Sequence, residues 1–244
     1  MPVTSLLYRE IEPQKPEEIA LRLANHPHLA FLDSAMGHSA LGRYSYVASD
    51  PFGVLSVVRG KAYWNEEALP TDPFTAIRDI LKRFAVENQT GLPPFQTGGI
   101  GYLSYELGRL IEAPSSTPHP EEDMPDLVLA FYDVIFAHDH AENRSFILSS
   151  GFPETDPVTR AARSENRLDT FIDLIETPAT PPVPSPPVTG WTSNFTRQTY
   201  QNAVSDVIER ILAGDIFQAN IAQRFEASLP PGFDPFAFYW HLRN

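Results

Sequence analysis

Two short runs near the N-terminus, Asp33-Ser34 and Gly42-Arg43-Tyr44-Ser45, gather a carboxylate, two hydroxyls, a guanidinium and an aromatic ring. A zwitterionic amino acid could use such a set. Arg43 would take its carboxylate through charge-assisted hydrogen bonds, and Asp33 or Ser34 its ammonium. Taken singly, the same residues are ordinary loop and strand ends. A second set lies in IFQANIAQRF, residues 216–225, which alternates as a strand. Phe217, Ala219, Ile221 and Phe225 fall on one face, Gln218, Asn220 and Arg224 on the other. That polar face carries both donors and acceptors and suits a hydrated cleft. His26-Pro27-His28 and His138-Asp139-His140 have the look of metal spacings. A zinc site needs three or four ligands, though, and the second pair is expected in an exposed hairpin turn. Gly98-Gly99-Ile100-Gly101 lacks the third glycine of a dinucleotide fingerprint and the Gly-Lys-Ser/Thr of a phosphate loop. It reads as glycine that lets two backbones approach closely.

The elements that must position these residues can be placed from pattern. Leu29–Ser34, Tyr44–Ala48 and Gly53–Val58 read as strands, the last two flanking the turn Ser49-Asp50-Pro51. Asp126–Ala137 and Ser145–Ser149 read as a hairpin around the polar turn DHAENR. FQTGGIGYLSYELGRLIE reads as an apolar strand passing into a helix. A helix over 73–87 has Asp72 as cap and Pro73 at its first position, with Phe74, Ile77, Leu81 and Phe84 on one face. Another covers 157–176, with Leu168, Phe171, Ile172 and Ile175 as its stripe. Thr196 caps a third, whose Tyr200, Val204, Val207, Ile208 and Ile211 share a face before Gly214 supplies a left-handed stop. Asp234-Pro235 opens a last helix, in which the chain stops at Asn244. Strands and helices without βαβ regularity make the class α+β.

Composition narrows the function classes. The chain has 244 residues, 18 Lys+Arg against 31 Asp+Glu, and a net charge of -13. Nucleic-acid binding needs clustered cations, so no nucleic-acid partner is expected. No apolar run approaches the roughly 18–20 residues of a membrane span, and MPVTSLLYRE lacks the pattern of a signal peptide. With no cysteine there is no disulfide or thiolate chemistry. A cytoplasmic protein with a small-molecule or protein partner is expected. Six of the 24 prolines fall in TPATPPVPSPPVTG, residues 177–190, an uncharged semi-rigid connection. The organisation expected is 1–176, a linker over 177–190, and 191–244. A domain boundary and a covalent step between layers of one domain are both compatible with that linker.

Phe31-Leu32-Asp33-Ser34-Ala35 followed by Gly42-Arg43-Tyr44-Ser45, GGIGYLSYE at 98–106, MPD at 124–126 and GDIFQANIAQRF at 214–225 together resemble a known family. It is component I of aminodeoxychorismate synthase and its relative, component I of anthranilate synthase. Gln218-Ala219-Asn220 and the FLDSA form of the early motif look nearer the aminodeoxychorismate branch. The resemblance implies an α+β, anthranilate synthase component I-like fold of two stacked, largely antiparallel sheets with outer helices. It implies a magnesium-dependent amination of chorismate to 4-amino-4-deoxychorismate, for p-aminobenzoate and folate, with ammonia from a glutamine amidotransferase partner. It also implies a pocket for L-tryptophan. Ser34, Leu41, Gly42, Arg43 and Tyr44 match one wall of that pocket, with Asp33 beside them, and Gln218, Asn220 and Arg224 support the cleft.

The resemblance also marks a departure. The family's acid/base glutamate, its Lys-versus-Ala branch motif and its magnesium ligands have no counterpart in these residues. The chain therefore reads as the N-terminal portion of a longer enzyme, inactive alone. Two other readings stand beside it: the same part of anthranilate synthase component I, and a non-catalytic module that binds tryptophan or docks a glutaminase.

Overall fold

Local chemistry sets where the main helices begin. Asp72 accepts a hydrogen bond from the Thr75 N–H at 3.0 Å, and Asp156 accepts from Val158 and Thr159 at 3.1 and 3.0 Å. In each case proline takes the first helical position, where its missing N–H costs nothing. The computed structural model describes residues 6–36, 41–112, 124–178 and 180–243. Met1–Ser5 and Asn244, on which the reading of the two termini drew, lie outside that set. The chain divides into two compact units, Met1–Pro181 and Pro182–Asn244.

In the first unit the elements run β1 (Leu7–Ile11), α1 (Pro16–Arg22), β2 (Ala30–Leu32), β3 (Tyr44–Ala48), β4 (Gly53–Val58), β5 (Lys61–Trp64) and β6 (Glu67–Ala68). They continue with α2 (Pro73–Arg83), β7 (Gly98–Leu103), a 3-10 helix (Tyr105–Leu110), β8 (Leu127–Tyr132), β9 (Val134–Asp139), β10 (Arg144–Ser149) and α3 (Pro157–Glu176). Two five-stranded sheets result, ordered β1-β10-β9-β3-β2 and β6-β5-β4-β8-β7. Every strand pairing in them is antiparallel.

Alternation along the strands builds the layers. Tyr46 and Ala48 of β3, Ala130 and Tyr132 of β8, Ile135 and Ala137 of β9, and Phe146 and Leu148 of β10 form one buried core between the sheets. On the far side of the second sheet, Ala76 and Ile80 of α2 meet Leu55, Val57, Leu127 and Phe131. Helices α1 and α3 pack on the first sheet. The order is thus helix, sheet, sheet, helix, the α+β architecture expected.

Three expectations are corrected here. Asp126–Ala137 is not one strand. It is β8 and β9, which lie in different sheets, and the chain changes sheet at Asp133. Asp133 is fully buried, and its carboxylate meets Arg163 and Arg167 of α3 at 3.0 and 3.1 Å. Apolar residues on both sides of it hide the break from a reading by hydropathy. Helix α2 ends at Arg83 rather than at 87, because Phe84 turns in to join the core beside Phe52 and Phe152. The β9–β10 turn is tighter than DHAENR implies, closing over residues 140–143, so His138 and Asp139 belong to one strand and Arg144 to the other.

The second unit holds β11 (Thr192–Ser193), α4 (Arg197–Ala213), β12 (Phe225–Glu226) and α5 (Pro235–Arg243). Thr196 and Thr199 cap α4 reciprocally, and Gly214 ends it at φ 84°. The strand expected over 216–225 is absent. Its residues run without a ladder until Phe225–Glu226 pairs with Thr192–Ser193. The alternating pattern is right for a strand, but a strand exists only beside another one. Likewise the apolar face of α4 is not buried; Ile208 and Ile211 are 51 % and 40 % exposed.

Candidate functional site

The first motif set converges at the start of β3. Ser34, just past β2, donates its hydroxyl to the Tyr44 carbonyl at 2.7 Å. Its backbone N–H donates to Ser45 Oγ at 3.0 Å. These two bonds tie the chain just past β2 to the start of β3. Beside them is an open pocket of about 480 Å³, lined by Leu41, Arg43, Tyr44, Tyr46, Pro94 and Phe95. Tyr44 and Tyr46 lie two apart on β3, with ring centroids at 6.3 Å, and Phe95 meets Tyr46 edge-on at 5.5 Å. Burial pushes the Tyr46 phenol up to about 12, so it stays neutral, and its oxygen accepts a hydrogen bond from the Phe95 N–H at 3.3 Å. Asp33, Ser34 and Gly42 are not among the lining side chains. Asp33 and Ser34 are half-buried beside the wall, and Gly42 is buried.

Arg43 does not stand as an isolated cation. Its Nε meets both Asp139 oxygens at 3.0 Å, and its Nη2 reaches Asp139 at 2.6 Å and Glu142 at 3.0 Å. Hydrogen bonding to Asp139 raises the guanidinium's pKa further above its ordinary value. The guanidinium also lies over the Tyr44 ring, 5.0 Å from its centroid. Burial opposes the charge of Asp139, but Arg43 and the Glu142 and Ala141 N–H groups outweigh that and hold its carboxyl below the usual range. The ladder register Tyr44↔Asp139 explains the encounter: β3 and β9 are neighbours, so adjacent positions meet across them. Arg43 thus braces the β9–β10 turn against the pocket wall, and its charge is largely answered from within the fold.

The histidine pairs behave differently from their metal-like spacing. His138 is only 6 % exposed, where an exposed turn residue was expected. Its Nδ1 bonds Ser145 Oγ at 2.9 Å, and His140 Nε2 bonds Ser45 Oγ at 2.8 Å. The two rings meet edge-on at 4.7 Å. Burial, then the neighbouring His140, push the His138 imidazole below its ordinary pKa. Among the described residues no group of three or more His, Asp or Glu could hold a metal ion. The described residues therefore offer no ligand set for the magnesium that the resemblance implies.

Gln218, Asn220 and Arg224 are exposed and lie on the extended run of the second unit rather than on a strand face. The Arg224 N–H donates to Asn194 at 2.8 Å, and its guanidinium meets Glu226 at 3.3 Å. The glycine run, by contrast, does what close approach requires. A side chain at Gly101 would overlap the Val128 carbonyl, and one at Gly99 would press on Phe131. Sequence reasoning missed Tyr46, Pro94, Phe95, Asp139 and Glu142. The period-two spacing from Tyr44 could have found Tyr46. Nothing local points from β3 to a loop some fifty residues on.

No helix among the described residues is long and apolar enough to cross a membrane. Residues 38–244 match the model of the chorismate binding enzyme family. Anthranilate synthase component 1 of Streptomyces coelicolor is 30 % identical over 220 residues, covering 87 % of this chain and 40 % of that protein. The chloroplastic anthranilate synthase alpha subunit 2 of Arabidopsis thaliana is 29 % identical over 228 residues, covering 84 % of this chain and 36 % of its own length. For the component 1 of Thermus thermophilus the values are 28 % over 235 residues, 95 % and 48 %. The chain thus spans less than half the length of these relatives. The crystal structure of anthranilate synthase component I from Streptococcus pneumoniae superposes with a TM-score of 0.68 at 22 % identity, over 85 % of this chain and 46 % of that one. At that identity the likeness speaks for the fold. With a match that runs through more than four-fifths of its residues, the chain belongs to the chorismate binding enzyme family.

Proposed function

We propose that these residues form the first part of aminodeoxychorismate synthase component I, a cytoplasmic enzyme that aminates chorismate to 4-amino-4-deoxychorismate. Its ammonia would come from a glutamine amidotransferase partner, and its magnesium ligands would lie outside the described residues. The observation that carries this reading is the family match over 38–244, which includes the block GDIFQANIAQRF. Gln218-Ala219-Asn220 and FLDSA support the aminodeoxychorismate branch. A second reading, anthranilate synthase component I, is favoured by the names of the relatives above. The pocket beside Arg43 supports a structural or regulatory tryptophan site, with Leu41, Arg43 and Tyr44 lining it and Asp33, Ser34 and Gly42 beside that wall. In that site the aromatic lining would hold the indole, while Arg43, already paired, would act through shape more than charge.

Product identity separates the two branches. A polypeptide extended to the relatives' length, given chorismate, ammonium and magnesium, is expected to yield 4-amino-4-deoxychorismate. Anthranilate as the sole product would transfer the assignment to the second reading.

A further inference from the structure

A polar row crosses the first sheet on the face where α1 and α3 pack. The register sets Ser45 of β3, His138 of β9 and Ser145 of β10 side by side. Their neighbours Tyr46, Ala137 and Phe146 alternate into the core between the sheets, so the row faces the helices. Both serines are fully buried and His138 nearly so. The next row on that face, Val47, Phe136 and Ile147, is fully buried and wholly apolar. Polar groups placed this deep must find partners.

The partners fix where the ring hydrogens are. The Ser34 N–H donates to Ser45 Oγ at 3.0 Å, and the Gln14 N–H donates to Ser145 Oγ at 2.9 Å. A hydroxyl used that way still has its own hydrogen to place. In each case an imidazole nitrogen stands ready: His140 Nε2 is 2.8 Å from Ser45 Oγ, and His138 Nδ1 is 2.9 Å from Ser145 Oγ. Both nitrogens therefore accept, which puts the ring hydrogens on His140 Nδ1 and His138 Nε2. The two rings touch edge-on at 4.7 Å, and the His140 backbone N–H donates to the Arg43 carbonyl at 2.8 Å. Contacts thus run from Ser34 through Ser45, His140, His138 and Ser145 to Gln14. They tie the chain past β2 and the start of β3 to the approach to α1.

We propose that this row is a proton-operated latch, closed while both imidazoles are neutral and opened when the pair takes up a proton. An imidazolium donates from both nitrogens, so a charged ring turns an N–H toward its serine and leaves the buried hydroxyl hydrogen without an acceptor. Charge on both rings at 4.7 Å would add repulsion. His140 is exposed and gives the proton its entry; the ring contact passes the effect to buried His138. Asp139 and Glu17 of α1 favour the charged ring, but burial and His140 outweigh them and hold His138 neutral. Arg43 is itself paired with Asp139 and Glu142, and β3 and β10 meet the rings with the uncharged Ser45 and Ser145. Opening releases the Ser34 amide beside the pocket wall and the Gln14 amide ahead of α1. The latch rests on bonds within the chain and not on the function proposed above.

Imidazole nitrogen NMR and amide hydrogen exchange on the 244-residue chain test this. At about pH 7.5, His140 should carry its hydrogen on Nδ1 and His138 on Nε2. With exchange corrected for its intrinsic pH dependence, the Ser34 and Gln14 amides should lose about 10-fold or more of their protection by about pH 5, in step with the imidazole titration. The amide of Phe171, buried in α3, should keep its protection over the same range. Ser45→Ala should leave the Ser34 amide unprotected at both pH values while Gln14 still responds. A ring hydrogen on either nitrogen that faces a serine would overturn the proposal, as would Ser34 and Gln14 amides indifferent to pH. Loss of protection at Phe171 together with theirs would assign the change to unfolding and overturn it as well.

Discussion

Burial decides the protonation of His138. Desolvation and the neighbouring His140 depress its pKa, while Asp139 and Glu17 of α1 pull the other way without prevailing. An unfolded histidine titrates near 6.5, so between that value and the lower folded one the unfolded chain binds more protons. Stability should therefore rise with pH through this window and level off above it. Urea unfolding at about pH 7.5 and about pH 5.5 is expected to show the lower midpoint in acid, and His138→Asn should flatten the difference; an unchanged slope would refute the assignment. Asp133 is the other buried charge of consequence. Burial raises its carboxyl, and the guanidiniums of Arg167 and Arg163 oppose that rise. Asp133→Ala would remove the buried carboxylate that both arginines share where the chain changes sheet, leaving Arg167 with Asp50 and Arg163 with the Phe152 carbonyl. A loss of about 3 kcal/mol in equilibrium unfolding is expected.

At the scale of elements, β7 and β8 approach too closely at Gly101 for a side chain to fit there. Gly101→Ala would drive its methyl into the Val128 carbonyl, which is backbone and cannot swing aside. It should cost about 1–3 kcal/mol. Gly99→Ala meets only the edge of the Phe131 ring, at 3.2 Å, and should cost clearly less in the same thermal unfolding series. Much of this layer was legible in the sequence. β3, β4, α3 and the caps Asp72 and Thr196 follow from periodicity and from side chains that serve their own backbone. What stayed hidden depends on distant partners. The switch at Asp133 is set by Arg163 and Arg167, about thirty residues on, and the strand pattern at 216–224 finds no ladder among the described residues. The candidate site divides the same way. Ser34, Arg43 and Tyr44 announce themselves by type and spacing, whereas Pro94, Phe95 and Asp139 join them only through the fold.

The whole chain carries a net charge of -13, all but -1 of it outside residues 191–244. Its proline-rich stretch spans the break between the units at Pro181 and Pro182. The first unit closes a four-layer body with two cores. The second presents a well-capped helix with no buried residue and an extended polar run. Helices of this length draw most of their stability from packing an apolar face, and within its own unit α4 leaves that face uncovered. Under the function proposed above, these 244 residues supply one portion of a chorismate-aminating enzyme. The most direct test of this follows chorismate in the presence of ammonium and magnesium, with the 244-residue chain and with a polypeptide of the relatives' full length. Consumption by the longer polypeptide and none by the shorter is the expected result. Clear turnover by the 244-residue chain alone, or chorismate left untouched by both, would contradict it.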